Sequence, residues 1–230
     1  MTQEPFHVYL AGPLFDHADL LGNAVFAEAL GTRSRGRFVA ILPQDQETAL
    51  SSAREVRDRD LEELMAADLA IFNFNGPEVD AGAVMEFAYA RLLDLPAVIL
   101  RTDSRAAGEG LPDADSWNLM CSFYPRTEVV RLNAPSTYEA LRVQGRSSAE
   151  AARLLVDEVA DRVIEALDRA WNQPAVLPPD PDRQRIIYEW AATFIGTTRS
   201  ADAIKAHVQR ILSRRRTPSA HAGGATNGLR

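Results

Sequence analysis

The chain has 230 residues, of which 46% are hydrophobic and 25% charged, and its formal net charge is −7. That length suffices for one well-buried α/β domain plus an appendage, and the negative balance argues against a nucleic-acid polymer as partner while leaving small neutral ligands open. Cys121 is the only cysteine, which excludes an internal disulfide and a thiolate zinc cage, and His7, His17, His207 and His221 show no ligand spacing, so no metal or cofactor is expected. No apolar run approaches ~18 residues, and the start, Met1-Thr2-Gln3-Glu4-Pro5, lacks a basic segment followed by an apolar core. Neither a membrane span nor a signal peptide is expected, and the expected location is the cytoplasm.

Phe6 to Gly12 reads as a first strand closed by a Gly12-Pro13 turn. Leu20 to Leu30 follows with helical spacing and an apolar face of Leu21, Val25, Phe26, Ala29 and Leu30. Phe38 to Leu42 is a second strand, stopped by Pro43 and followed by a polar run, Gln44 to Glu47. Arg54 to Ala66 is a second helix with Val56, Leu61, Leu64 and Met65 as its buried stripe. Leu69 to Phe74 is a third strand, Ala81 to Leu93 a third helix, and Ala97 to Leu100 a fourth strand. Arg101 to Asp115 reads as a long loop, and Trp117 starts a short helix. Glu128 to Leu132 is a fifth strand, and Ser147 to Trp171 a long amphipathic helix with a capping box to Glu150. Strands alternating with helices predict a parallel sheet covered on both faces. The expected division is a main domain over 1–172, a proline-rich linker over 173–182, a helical appendage over 183–216 and a disordered tail over 217–230.

The most informative stretch is Gly76 to Ala90. A strand meets a small-residue turn and then a helix, which places Asp80 at an N-cap and Glu86 within the next turns. In a parallel sheet this is the carboxyl edge, where ligands bind. An acid there is ordinarily a cap or a solvated dipole partner. A carboxylate aimed into a dry crevice can also act as a nucleophile, and Met85, Phe87 and Tyr89 are expected to form an apolar rim around Glu86. Three more features fall at the same edge: Tyr9 near the tip of the first strand, Asp60 near the start of the second helix, and Asn118-Leu119-Met120 after the long loop.

Taken together, Tyr9-Leu10-Ala11-Gly12-Pro13, Asp60, Asp80-x-Gly82-x-x-x-Glu86-x-x-x-Ala90 and Asn118-Leu119-Met120 resemble the nucleoside 2-deoxyribosyltransferases, over about residues 6 to 170. The resemblance implies a flavodoxin-like fold and transfer of 2-deoxyribose between nucleobases through a covalent sugar ester on a glutamate, here Glu86. By the same match Tyr9 orients the nucleophile, Asp60 holds the base and passes a proton, and Asp80 binds sugar hydroxyls. Asn118 would reach the 5′-hydroxyl from a neighbouring subunit of a homo-oligomer, a dimer or a multiple of one. Gly12, Phe15, Gln44, Gln46 and Met120 complete the expected substrate contacts, with Phe72 and Phe74 as further shields against water. Deoxynucleosides and free nucleobases are the implied partners, in nucleotide salvage, with no metal. Two alternatives share the residues: a 2′-deoxynucleoside 5′-monophosphate N-glycosidase with water as acceptor, and a non-catalytic nucleoside or nucleotide sensor. The turn Asp80-Ala81-Gly82-Ala83 has no hydroxyl for a phosphate, and Asp16 adds negative charge, which favours free nucleosides.

Overall fold

The computed structural model describes residues 4–46, 52–104, 115, 117–178, 180–195 and 201–215. Five strands, β1 (Phe6–Ala11), β2 (Phe38–Ile41), β3 (Leu69–Asn73), β4 (Ala97–Arg101) and β5 (Thr127–Arg131), form one sheet in the order β2-β1-β3-β4-β5. Every pairing is parallel. This is the flavodoxin-like doubly wound order, which reverses direction between β1 and β3. The helices of the described residues are α1 (His17–Arg33), α2 (Pro43–Gln46), α3 (Ala53–Ala66), α4 (Ala81–Leu92), α5 (Ala134–Val143), α6 (Ser148–Asn172), α7 (Pro181–Ala192) and α8 (Ala201–Arg215). None is long and apolar enough to cross a membrane.

Side-chain alternation along the strands splits the core into two layers. Val8, Leu10, Leu69, Ile71, Val98 and Leu100 pack with Phe26 and Leu30 of α1 and with Val159, Val163 and Leu167 of α6. Tyr9, Ala11, Ala70, Phe72, Ala97 and Ile99 point the other way, toward Leu64 and Met65 of α3 and Ala83, Phe87 and Ala90 of α4. A strand buried on both faces needs apolar residues at nearly every position, and β1, β3 and β4 have them. Register therefore decides function as well as stability. A slip of one residue in β1 would turn Tyr9 away from α4.

The helix ends follow their caps. Asp16 accepts hydrogen bonds from Ala18 N (2.8 Å) and Asp19 N (3.0 Å), which starts α1 before the apolar residues that announce it. Ser147 and Glu150 form a reciprocal capping box at α6, an arrangement stabilising by about 1 kcal/mol. Several expectations are corrected. Leu21 and Val25 are 62% and 49% exposed, so the buried face of α1 is the narrower pair Phe26 and Leu30. The polar run after β2 begins with a short helix, α2. Helix α5 was not expected: it is ten residues long and buries none of them fully, with only Ala134, Thr137, Tyr138 and Leu141 half-buried along one side, and its clearest signal is the Asn133 cap with Pro135 in the first turn. Residues 105–114 of the long loop, and the tail beyond residue 215, lie outside the described residues.

Helix α7 packs against α4, and α8 packs against α7. Ala191, Ala192, Ile195, Val208, Ile211 and Leu212 join the same apolar layer as Phe87. Two tyrosines exchange hydrogen bonds across the joint: Tyr188 Oη donates to the Leu93 carbonyl (2.9 Å), and Tyr89 Oη donates to the Ala191 carbonyl (3.1 Å). Both hydroxyls are buried, so each needs such a partner.

Candidate active site

Strand β1 delivers Tyr9, which is fully buried on the face shared with α3 and α4. Helix α4 delivers Glu86 one position before the core residue Phe87, so its half-buried side chain emerges at the border of the core. The two residues, 77 positions apart in the chain, meet: Tyr9 Oη donates to Glu86 Oε1 at 2.6 Å. Asp80 caps α4 by accepting the Ala83 N–H at 2.8 Å. Gly82 makes room for that cap, because a Cβ there would sit 2.9 Å from Asp80 Oδ2.

The electrostatics follow from burial. Desolvation is the largest influence on Glu86, and it pushes the carboxyl up to about 7; the hydrogen bond from Tyr9 opposes the rise, and the charges of Asp60 and Asp80 add to it. Burial also holds Tyr9 well above its ordinary value, reinforced by Glu86 and Asp60. Tyr9 therefore stays a neutral donor. The charges of Asp60 and Asp80 thus both act on Glu86, with Asp60 midway along α3 and not near its start as expected. Perturbed titratable groups gathered in a crevice are characteristic of a reaction centre. Among the described residues no group of three or more His, Cys, Asp or Glu is placed to hold a metal ion.

A family match covers residues 8–133, more than half of the chain, and its description is nucleoside 2-deoxyribosyltransferase. The chain belongs to that family. None of the curated proteins matches it. Among solved structures, a conserved protein from Enterococcus faecalis V583 is 21% identical and covers 72% of this chain and 99% of its own, with a TM-score of 0.45. A 2-desoxiribosyltransferase from Leishmania mexicana is 23% identical, covering 52% and 87%, with a TM-score of 0.42. A 2-deoxyribosyltransferase from Bacillus psychrosaccharolyticus is 18% identical, covering 43% and 74%, with a TM-score of 0.38. The family match carries the assignment.

The remaining residues expected at a nucleoside 2-deoxyribosyltransferase site fall into two groups. Phe15 and Met120 are 76% and 75% exposed, and Asn118 caps the 3-10 turn Leu119–Cys121 by accepting the Met120 N–H at 2.9 Å. That turn lies against α4. Phe72 and Phe74 are instead core residues, stacked edge-on with Phe87 at 5.2 and 5.7 Å. The rim expected from Met85, Phe87 and Tyr89 does not form. Phe87 is in the core, Tyr89 faces α7, and only Met85 is exposed. Gln44 turns toward α1: its Nε2 donates to the Leu20 carbonyl (3.1 Å), and its Oε1 accepts from Asn23 Nδ2 (3.3 Å). Gln46 ends α2, and its side chain lies outside the described residues. Gly12 has a packing reason of its own, since a Cβ there would come within 2.8 Å of Asn73 Cβ. Two cavities of about 310 Å³ lie elsewhere, one at Leu93, Arg126 and Tyr188, the other at Phe26, Asn73 and Thr102; Glu86 lines neither.

No sequence pattern announced Asn23, which fixes Gln44, nor the residues at and after the end of β4 that grip the turn before α4. Neither Asn23 nor Arg101 stands in a chemical motif, and each is recognisable only by what it touches.

Proposed function

We propose that this protein transfers 2-deoxyribose from one nucleobase to another, with Glu86 as the nucleophile. The observation that carries this reading is the 2.6 Å hydrogen bond from the buried Tyr9 hydroxyl to Glu86, made where Asp60 and Asp80 act on the same carboxyl. A glutamate used only as a helix-surface acid has no need of a buried phenol aimed at it.

In the first step a Glu86 carboxylate oxygen bonds to the anomeric carbon as the bond from that carbon to the base nitrogen breaks. The bonding pair leaves with the base, and Asp60 supplies the proton that neutralises it. The product is a deoxyribosyl ester of Glu86. In the second step a nitrogen of the acceptor base attacks the anomeric carbon, the ester bond breaks, the carboxylate returns to Glu86, and the proton lost by the acceptor goes to Asp60. Two displacements give net retention, as in retaining glycosidases. Tyr9 keeps the nucleophile oriented, a role worth more than its hydrogen-bond energy because small misplacements are costly. Asp80 is suited to sugar hydroxyls.

Asn118, Phe15 and Met120 suit a site completed by a second copy of the chain. All three lie on exposed surface, and an ester intermediate survives to meet a base only where water is kept out. Free nucleosides fit better than 5′-phosphates, since Asp16, Asp19 and Asp80 surround the helix starts and α4 has no hydroxyl in its first turn. The test is incubation with a deoxynucleoside, with and without a second base. A new nucleoside should form only with the second base, and Glu86→Ala should abolish it while the protein stays folded. Exchange retained by Glu86→Ala would remove Glu86 from the mechanism. Free base alone, with a 5′-phosphate required, would replace transfer by hydrolysis.

A further inference from the structure

The turn between β3 and α4 carries the reacting groups on its far side, yet it has no regular structure of its own. Its backbone groups must be satisfied from elsewhere, and the end of β4 satisfies them. Arg101 is 2% exposed. Its Nη1 donates to the Phe74 carbonyl and its Nη2 to the Gly76 carbonyl (3.2 Å). Asp103 accepts the Gly76 N–H at 2.7 Å and pairs with Arg101 at 3.2 Å. Asn75 closes the contact from the other strand: its Oδ1 accepts from Thr102 N (2.6 Å) and Asp103 N (3.2 Å), and its Nδ2 donates to Thr102 Oγ1 (2.9 Å).

We infer that Arg101 and Asp103 are positioning residues for the nucleophile: they fix the β3–α4 turn and so set where α4 begins and where Asp80 and Glu86 stand. This rests on the reading of Glu86 as the reacting carboxylate. Gly76 has φ +105°, a conformation open to glycine at little cost, so the turn cannot be stiffened by its own residue. Four residues later comes Asp80, the cap of α4. A guanidinium is suited to the task because its planar fork grips two carbonyls at once, which an ammonium does not. Burying that charge is costly, and a well-packed apolar residue would give comparable stability. A turn held only for stability has no need of it. A displacement of about 1 Å at a reacting group lowers rate about a hundredfold, which is the advantage the strap confers.

Asp103→Ala and Asp103→Asn separate this role from simple ion pairing. Both remove the Asp103 carboxylate from Arg101, but the amide keeps an acceptor for the Gly76 N–H. The measurements are kcat, KM, melting temperature and the titration of Glu86 followed by carbon NMR of labelled glutamate. Asp103→Ala should melt lower than Asp103→Asn, since it alone leaves the Gly76 N–H without its acceptor, but both should be fully folded at the assay temperature. Asp103→Ala should lose about tenfold or more in kcat relative to Asp103→Asn, with KM within about threefold, as expected for an interaction expressed in the transition state. Its Glu86 midpoint should also fall, because a looser turn admits water and carries Asp80 away. Equal kcat and equal midpoints in the two variants would overturn the inference. Should Asp103→Ala fail to fold, Arg101→Lys gives the same test: it keeps the charge and loses the second carbonyl, and an unchanged kcat and midpoint would refute the role. If the wild-type protein exchanges no bases, the proposed function falls, and the Glu86 titration alone decides the strap.

Discussion

Replacing Glu86 with glutamine should stabilise the protein while destroying its activity, and the gain should depend on pH. In the unfolded chain the Glu86 carboxyl titrates near 4.5; in the fold it titrates at about 7. Between those values the native state holds a proton that the unfolded state has released. The free energy of unfolding therefore falls as pH rises through this window, and the stability present below 4.5 is lost above 7. At about 1.4 kcal/mol for each pH unit, the full difference is about 3 kcal/mol. Glutamine stays neutral throughout and can still accept from Tyr9, though the neutral bond is the weaker one; a net gain of about 2 kcal/mol at pH 8 is expected. For a chain of this length that corresponds to about 4–8 °C in melting temperature. The assay is thermal unfolding of both proteins from pH 4 to 8.5, beside base exchange. The two curves should converge toward pH 4.5 and separate above pH 7, with no exchange by Glu86→Gln. A separation that does not change between pH 5 and 8 would refute the claim that this carboxyl is ionised at a cost.

Two further outcomes follow from the same geometry. Tyr9→Phe removes the hydrogen bond that draws Glu86 down, so the acid limb of the pH–rate profile should move to higher pH, with about a tenfold or greater loss at pH 7 and partial recovery at pH 8.5; an unmoved limb would detach Tyr9 from the nucleophile. At the appendage, Tyr188→Phe should cost about 1 kcal/mol for the lost bond to Leu93, and Tyr188→Ala about 3–5 kcal/mol for the emptied core position. Urea unfolding measures both, and an Ala variant as stable as the wild type would mean that α7 is not held there.

Much of the framework was legible because it is local. Nearly continuous apolar runs in β1, β3 and β4 announced strands buried on both faces, and Asp80 followed by small residues announced the start of α4. Where the local signal was weak, reading failed. Helix α5 is short and only half-buries its apolar side, so its pattern is brief and mixed with polar residues. Leu21 and Val25 are spaced like core residues, but the sheet and α6 bury only the part of α1 that faces them. The rim assigned to Phe87 and Tyr89 misjudged which sides of α4 the core and α7 would occupy, a matter settled by partners far away in the chain.

The amino-acid order alone determined the alternation of strands and helices and the helix caps, Asp80 at the start of α4 among them, since these depend on backbone preference and on the period of apolar residues. Only the tertiary structure decided that Tyr9 donates to Glu86, that the carboxyl is held near neutrality, and that Arg101 and Asp103 grip the turn before α4. Those properties arise from loss of water and from contacts between distant segments, and neither exists until the sheet has closed around them.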